Sequence, residues 1–461
     1  MLTDTSVVIL AAGQGTRMKS RMPKVLHRAG GKSLVRHSID AALEIAPPER
    51  VFVVVGYQAD RVRVETEAAG VHSVEQTEQL GTGHAVMCGE EQLAKYGGRL
   101  IVSVGDCPLI RSSTLEALAE THRTNGAAAA VITTEVPDSS GYGRIVRDAA
   151  GNVSEIVEHK ACTPEQLPIR EINSGIFCFD ADLFWKHVHE IRPDNPAREY
   201  YLTDMVSILI RAGHRVVAMK VADHSELLGI NNRVELAAAD CIIRQRKVHQ
   251  LLLDGVTIEK PETVTIDSQV TIGIDTIVGP FAQILGNSVI GENCCIGACS
   301  IVDNSVLGDD VEVFPFTMIA ASTLETKAHA GPYARIRMGA HLAESAHVGN
   351  FVEVKKSRIG AGAKSMHLAY LGDSTIGAKV NIGAGTITCN YDGQKKHPTI
   401  IGDGSFIGSN STLVAPVEVE GNAYVAAGSV ITQRVPSGAL AVGRSRQVNK
   451  EGWRRRFAPK A

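Results

Sequence analysis

The stretch Ile401-Gly402-Asp403-Gly404-Ser405-Phe406-Ile407-Gly408-Ser409-Asn410-Ser411-Thr412-Leu413 puts a branched apolar residue at every sixth position, and the ladder continues through Val419, Val425 and Ile431. An earlier ladder, Ile266, Ile272, Val278, Ile284, Ile290, Ile296 and Val302, keeps the same spacing. A helix repeats its apolar residues every three or four positions and a strand every two, so a strict six requires a short strand and a turn, many times over. This predicts a parallel β-helix. Gly273, Gly279, Gly291, Gly297, Gly402 and Gly408 each follow a ladder residue, where a corner must turn without a Cβ in the way.

Working outward, the hexads slip between Val302 and Leu307, resume at Val313 and Ile319, and run on through Ile336, Leu342, Val348, Val354, Ile376 and Ile382. Between Thr388 and Ile400 the register is broken by Cys389-Asn390-Tyr391-Asp392-Gly393-Gln394-Lys395-Lys396-His397-Pro398. An insertion of this kind leaves one face of the prism as a loop, where solenoids often carry binding residues. Before the hexads, Asn232 with Glu235 marks a helix start, and Val234, Ala238, Ile242, Val248 and Leu252 continue a helical face to Gly255.

From residue 1 to about Asn231, apolar runs at Val7 to Leu10, Val51 to Val55 and Leu100 to Val104 alternate with helical patterns such as Leu34 to Leu43 and Thr114 to Thr121. Alternation implies a mostly parallel sheet covered by helices. The runs end at Gly13, Gly56 and Gly105, so ligands are expected at those strand ends. The domains expected are therefore 1–231 (α/β, Rossmann-like), 232–254 (connecting helix), 255–442 (β-helix of hexapeptide repeats) and 443–461 (basic tail). In that tail Arg444, Arg446, Lys450, Trp453, Arg454, Arg455, Arg456 and Lys460 suit either a solvated cap on the last coil or an anionic partner.

With 461 residues, 44% of them apolar, the chain can bury two or three cores. Its formal net charge of −3 argues against bulk attraction to nucleic acid. The apolar run Val7 to Ala12 is too short to span a bilayer and follows acidic Asp4, so a cytoplasmic protein without a membrane span is expected. Nine cysteines without CxxC spacing suggest reduced thiols, and the sixteen histidines form no HExxH zinc pattern.

The loop Leu10-Ala11-Ala12-Gly13-Gln14-Gly15-Thr16-Arg17-Met18 follows the first strand, with Lys24 shortly after. Small residues let backbone N–H groups approach phosphates, and Arg17 and Lys24 bring positive charge to oxygens that become more negative in a transition state. Met18 stands where a dinucleotide fingerprint has its third glycine, which disfavours hydride chemistry, and Gly30-Gly31-Lys32-Ser33 lacks the leading glycine of a P-loop. Asp106, at the end of another strand, is a candidate ligand for Mg²⁺ completed by substrate phosphate.

Leu10 to Met18, Pro23-Lys24-Val25-Leu26, Gln79-Leu80-Gly81-Thr82-Gly83-His84-Ala85 and Gly105-Asp106 together resemble the sugar-nucleotide pyrophosphorylases. With Gly141-Tyr142-Gly143-Arg144-Ile145, Val157-Glu158-His159-Lys160, Glu171-Ile172-Asn173-Ser174-Gly175, Asn231-Asn232-Arg233 and the hexads, nearly the whole chain resembles the bacterial bifunctional N-acetylglucosamine-1-phosphate uridylyltransferase and glucosamine-1-phosphate N-acetyltransferase family.

That resemblance implies a left-handed β-helix, a homotrimer with acetyl-CoA in clefts between prisms, and UTP, glucosamine 1-phosphate and N-acetylglucosamine 1-phosphate as further substrates. It implies that Leu10, Ala12, Gly13, Gln76 and Gly81 hold the nucleotide, Gln76 offering the donor and acceptor that a pyrimidine edge requires. Thr82, Gly143, Glu158 and Asn173 would bind the acetylated sugar, Asp106 and Asn231 would hold Mg²⁺, and Arg17 and Lys24 would serve the phosphates. In the second half it implies His367 as general base, oriented by Glu353, and Arg337, Lys355, Tyr370, Asn381 and Lys396 around the amino-sugar phosphate. Asn390 would face the amino sugar or the CoA groove, which Ala384, Tyr391, Ser409, Ala427 and Arg444 would line. Arg337 and Lys355, 18 apart, are expected to stack one coil above the other.

Overall fold

The computed structural model describes residues 1–453, which divide into two compact units, one ending at Ile243 and the other beginning at Arg244. In the first unit a nine-stranded sheet has its main strands in the order Val216–Lys220, Ala129–Glu135, Glu171–Asp180, Arg99–Val104, Thr5–Leu10, Val51–Val55, His72–Glu75. Thr5–Leu10 runs parallel to both of its neighbours. Glu171–Asp180 is antiparallel to both of its own and also pairs with the hairpin Arg144–Arg147/Val153–Val157. The alternation of side chains explains the near-continuous apolar runs. Val8, Phe52 and Val54 enter one core cluster, whereas Val7, Ile9, Val51, Val53 and Val55 enter the other, so both sheet faces are covered.

The predicted helical patterns lie in helices Leu34–Ile45 and Ser112–Thr124. Gly30 and Gly31, both at positive φ, turn the chain between the short strands Arg28–Ala29 and Lys32–Ser33. Lys32 pairs with Asp40 at 2.6 Å and the Ser33 hydroxyl caps the helix that follows, so this stretch makes a hairpin and a helix start.

Helix Arg233–Leu253 begins at a reciprocal cap. The Asn232 side chain accepts from the backbone N–H groups of Val234 and Glu235, and the Glu235 carboxylate accepts from the Asn231 N–H and the Asn232 amide. In the first unit Ala239 and Ile243 pack with Met18, Ala29, Leu34, Leu109 and Ile230; in the second, Val248 and Leu251 join the prism core.

The second unit is three parallel sheets of 11, 10 and 9 short strands, visited in rotation, so that each coil contributes one strand to each sheet. The ladder residues form one continuous apolar core. Registers such as Ile284↔Val302 and Val302↔Ile319 fix the coil at 18 or 17 residues. The slip after Val302 is one of four five-residue sides, the others being Ile319 to Leu324, Val354 to Ile359 and Leu371 to Ile376, and all four fall at the same edge of the prism. Buried Ser305, Ser322, Ser357 and Ser374 turn this edge, the Ser305 and Ser357 hydroxyls accepting from the N–H of Ser322 and Ser374 one coil on. The insertion between Thr388 and Ile400 leaves the prism at that edge too.

The corner glycines are needed for close approach. A Cβ on Gly408 would overlap the backbone of Ala427 in the next coil, although Gly408 itself is not at positive φ. The left-handed positions fall two residues later and are held largely by other residues, such as Phe281, Phe351 and Asn410. Beyond Gly443 the chain is exposed as far as Trp453, and Arg454, Arg455, Arg456 and Lys460 lie outside the described residues. Gly408→Ala is expected to destabilise the prism by about 1–3 kcal/mol through overpacking, read as a lowered unfolding midpoint of that unit, while an exposed change such as Lys379→Ala leaves the midpoint nearly unmoved.

Candidate functional site

At the carboxyl ends of Thr5–Leu10 and Arg99–Val104 lies a cavity of about 300 Å³ lined by Leu10, Ala12, Gly13, Lys24, Gln76, Gly81, Thr82 and Asp106, with Glu199 at its margin. Gly15 sits at φ 70, and a Cβ there would overlap the Lys24 side chain, so the loop can fold back on Lys24 only with glycine in that place. The Lys24 ammonium forms an ion pair with Asp106 Oδ2 and donates to Asn231 Oδ1 at 3.2 Å, while Arg17 Nη2 donates to the same Asn231 oxygen at 2.8 Å. Two cations and two oxygen ligands therefore meet at one point on the cavity wall. The Asp106 and Asn231 oxygens converge on a single positive group, and such a donor pair suits a hard divalent ion that takes its remaining ligands from phosphate and water.

Gln76 is only 3% exposed, and its Nε2 donates to the Gly81 carbonyl at 3.1 Å and lies 3.0 Å from His84 Nδ1. With the His84 hydrogen on Nε2, both N–H groups of Gln76 are used inside the protein. The expected donor-and-acceptor edge is reduced to an acceptor when the Gly81 carbonyl and the His84 ring nitrogen together hold the nitrogen end of the amide inward.

Gly143, Glu158 and Asn173 form a second cluster. The Asn173 N–H donates to the Gly143 carbonyl at 2.9 Å, and a Cβ on Gly143 would lie 3.5 Å from Glu158 Oε1. Burial pushes the Glu158 carboxyl above its usual range, with Asp204 and Glu199 adding to the rise and a bond from the Thr203 hydroxyl opposing it. Cys107, beside Asp106, is 2% exposed, and burial followed by the Asp106 charge holds its thiol well above the ordinary range. It is packing, with no reactive thiolate.

In the prism, His367 is exposed at the end of strand Lys364–His367, and its Nδ1 lies 2.6 Å from Asn350 Oδ1, the residue that is its register partner one coil below. Glu353, expected to orient His367, instead accepts from Arg337 Nε at 2.7 Å. The reason is topological: Glu353 belongs to a different sheet from His367, whereas Asn350 shares its sheet and column. Sequence reasoning missed Asn350, and the signal was its spacing of one 17-residue coil.

Arg337 and Lys355 are register partners, as their spacing predicts. Lys355 is 6% exposed, an unusually deep position for lysine, and its ammonium lies 4.0 Å from Asp373 Oδ2. Lys396, carried in by the insertion, approaches it so closely that the Lys355 ammonium is held below the ordinary lysine range, burial adding to the effect. Asn390 Nδ2 donates to the same Asp373 carboxylate at 2.6 Å. Asp373 is thus a second residue the sequence did not single out; it partly neutralises a cationic nest. Tyr370 pairs in register with Glu353, and Asn381 lies between Lys364 and Phe406 in the sheet of His367.

Ala384, Ser409 and Ala427 follow at the same corner in successive coils: the Ala384 carbonyl accepts from Asn410 N–H at 2.7 Å and the Ser409 carbonyl from Gly428 N–H at 2.8 Å. Arg444 closes the column, 3.6 Å from where a Cβ on Gly428 would stand. Tyr391 is exposed on the insertion, its hydroxyl donating to the Gly393 carbonyl at 2.7 Å.

Residues 7–164 match the family model for the MobA-like NTP transferase domain. Residues 269–304 match the bacterial transferase hexapeptide (six repeats) and residues 398–433 the hexapeptide repeat of succinyl-transferase. Across 97% of this chain and 96% of the relative, it is 58% identical to the bifunctional protein GlmU of Solibacter usitatus. The bifunctional protein GlmU of Koribacter versatilis is 49% identical with the same coverage, and that of Synechococcus elongatus 46% identical over 97% of this chain and 98% of the relative.

An anion seated between Lys355 and Lys396 would favour the ammonium form, so phosphate binding is expected to take up protons at alkaline pH, where Lys355 is partly neutral. Calorimetry in buffers of different ionisation enthalpy reads this uptake. Lys355→Met should weaken binding about tenfold or more and abolish the uptake; unchanged uptake would contradict the assignment.

Proposed function

The chain belongs to the bifunctional GlmU family, as enzymes of UDP-N-acetylglucosamine biosynthesis with an NTP-transferase domain and a left-handed hexapeptide β-helix, and from that premise we propose how its two sites divide the work. The prism acetylates glucosamine 1-phosphate with acetyl-CoA, and the first unit then transfers UMP from UTP to N-acetylglucosamine 1-phosphate, releasing pyrophosphate. The observation that carries this reading is the pairing of two unlike sites in one chain: a cationic pocket at strand ends, and an exposed imidazole held on an amide beside a buried lysine.

For uridylyl transfer, the nucleophile is a sugar phosphate whose second pKa is about 6, so it attacks without a general base. Position and charge do the remainder. Leu10, Ala12, Gly13, Gln76 and Gly81 hold the nucleotide; Thr82, Gly143, Glu158 and Asn173 take the acetylated sugar; Arg17 and Lys24 stabilise the α-phosphate and the departing pyrophosphate. Asp106 and Asn231 would hold Mg²⁺, which when bound supplies further positive charge to the phosphate oxygens.

For acetyl transfer, the sugar ammonium must lose a proton before its nitrogen attacks the thioester. With its Nδ1 hydrogen held on Asn350 Oδ1, His367 keeps the Nε2 lone pair free to accept that proton. Asn350 is thus a positioning residue for the base. Arg337, fixed by Glu353, joins Lys355 and Lys396 on the sugar phosphate. Tyr370, Asn381 and Asn390 face the amino sugar, and Ala384, Tyr391, Ser409, Ala427 and Arg444 the CoA.

A homotrimer is part of this reading. It is supported by a row of exposed aromatics on the corner that carries His367: Phe316 stacks on Tyr333 at 5.0 Å and Tyr333 on Phe351 at 5.3 Å, each about half exposed. A cytoplasmic location is supported by nine cysteines that are all free thiols. Among the described residues no helix is long and apolar enough to cross a membrane.

Following free thiol and pyrophosphate separately tests the division. His367→Ala should lower acetyl transfer about 10²- to 10⁴-fold and leave uridylyl transfer intact; Asp106→Ala should do the reverse, and loss of both activities in either variant would contradict it. Asn350→Ala should lower the acetylation kcat by about tenfold with little change in the KM for acetyl-CoA, and an unaltered kcat would remove Asn350 from its positioning role.

A further inference from the structure

We infer that His84 is the residue that sets base selection in the nucleotide pocket, by locking the Gln76 amide so that only its carbonyl oxygen faces the ligand. This rests on the reading that the pocket takes UTP. Gln76 reaches the cavity wall from a backbone held at both ends: its N–H donates to the Val55 carbonyl at 2.8 Å, and its carbonyl accepts from Gln79 Nε2 at 3.1 Å. The side-chain amide has two N–H groups and two immobile acceptors. One is the Gly81 carbonyl, which also accepts the Ala85 N–H at 3.1 Å and so belongs to the first turn of helix Thr82–Met87. Gly81 is held against Tyr200, whose N–H donates to the Leu80 carbonyl at 2.8 Å and whose carbonyl accepts from the Gly83 N–H at 2.7 Å, and at φ 115 it leaves no room for a Cβ.

The other acceptor is His84 Nδ1, 3.0 Å from Gln76 Nε2 and one turn along the same helix. For Nδ1 to accept, the ring hydrogen must be on Nε2; the Cys88 sulfur lies 3.8 Å from Nε2 and 3.9 Å from Nδ1, and the Tyr200 ring stands 6.1 Å away between centroids. Among the described residues no donor reaches Gln76 Oε1, and Gln76 lines the cavity. An acceptor fixed in this way pairs with a base that offers a ring N–H, as uracil does at N3. It opposes one that offers a lone pair there, as cytosine does. Turning the amide over would set its oxygen against the Gly81 carbonyl and would require the His84 hydrogen to move from Nε2 to Nδ1, so the flip costs the Gly81 hydrogen bond together with a change of tautomer. With His84 removed, one anchor is left and the amide can rotate to serve either base.

The test measures kcat/KM for UTP and for CTP in the wild-type full chain and in His84→Leu and His84→Asn, the KM for N-acetylglucosamine 1-phosphate being followed in each. Wild type should prefer UTP; if it uses neither nucleotide, the reading of the pocket fails and the inference with it. His84→Leu should lower the UTP-to-CTP ratio by about tenfold or more, a change worth one hydrogen bond, with the sugar-phosphate KM unchanged. His84→Asn, whose Oδ1 can stand where Nδ1 stood, should restore much of the ratio. An unchanged ratio in His84→Leu, or equal losses for both nucleotides that asparagine does not rescue, would overturn the inference while leaving UTP as the substrate.

Discussion

The stacking of one coil on the next at a fixed period of 17 or 18 residues is the constraint on which the prism and its chemistry depend. Branched apolar side chains fill the interior because a short strand turning every sixth residue can bury only one of them per side. Once that column is set, residues one period apart meet whatever their chemical nature. Asn350 reaches His367, and Arg337 lies over Lys355. Two like charges held in one column would open a pair of surface strands. Here the backbone ladder of the prism and the carboxylates of Glu353 and Asp373 keep them in place, and the repulsion left over is available to an anionic ligand.

The first unit solves a different problem by a different device. A sheet whose strands are buried on both faces sends its chemistry to the strand ends, and three of those ends deliver the glycine loop, Gln76 and Asp106 to one cavity. Lys24 and Arg17 arrive from the loop after the first strand, and Asn231 from the segment just ahead of the helix Arg233–Leu253. Under the proposed function the charges there act on phosphate oxygens, and those of the prism grip a phosphate beside the imidazole that takes a proton.

Much of this was legible in the amino-acid string because period is a property of sequence. The six-residue ladder named the β-helix, and the 18-residue spacing of Arg337 and Lys355 placed them together. The slip after Val302 was visible as well, but not its meaning, since only the folded prism puts all four short sides and the insertion on one edge. Glu353 stands across a different corner, between the sheets of His367 and Lys355. Its 14-residue spacing to His367 is less than one coil, and the residue one coil away is Asn350. The orientation of the Gln76 amide was equally out of reach, because it depends on a carbonyl and a ring nitrogen that only the fold of Gly81 and His84 brings to it.

Two separate sites in one chain, the product of one being the substrate of the other, are what the account proposes, and mixing tests this directly. Protein carrying His367→Ala and protein carrying Lys24→Ala are each incubated with glucosamine 1-phosphate, acetyl-CoA and UTP, then combined in equal amounts, and UDP-N-acetylglucosamine is quantified. The account predicts almost no product from either alone and recovery in the mixture to a substantial fraction of the wild-type rate. A mixture that stays as inactive as its parts, with wild type active beside it, would contradict the account.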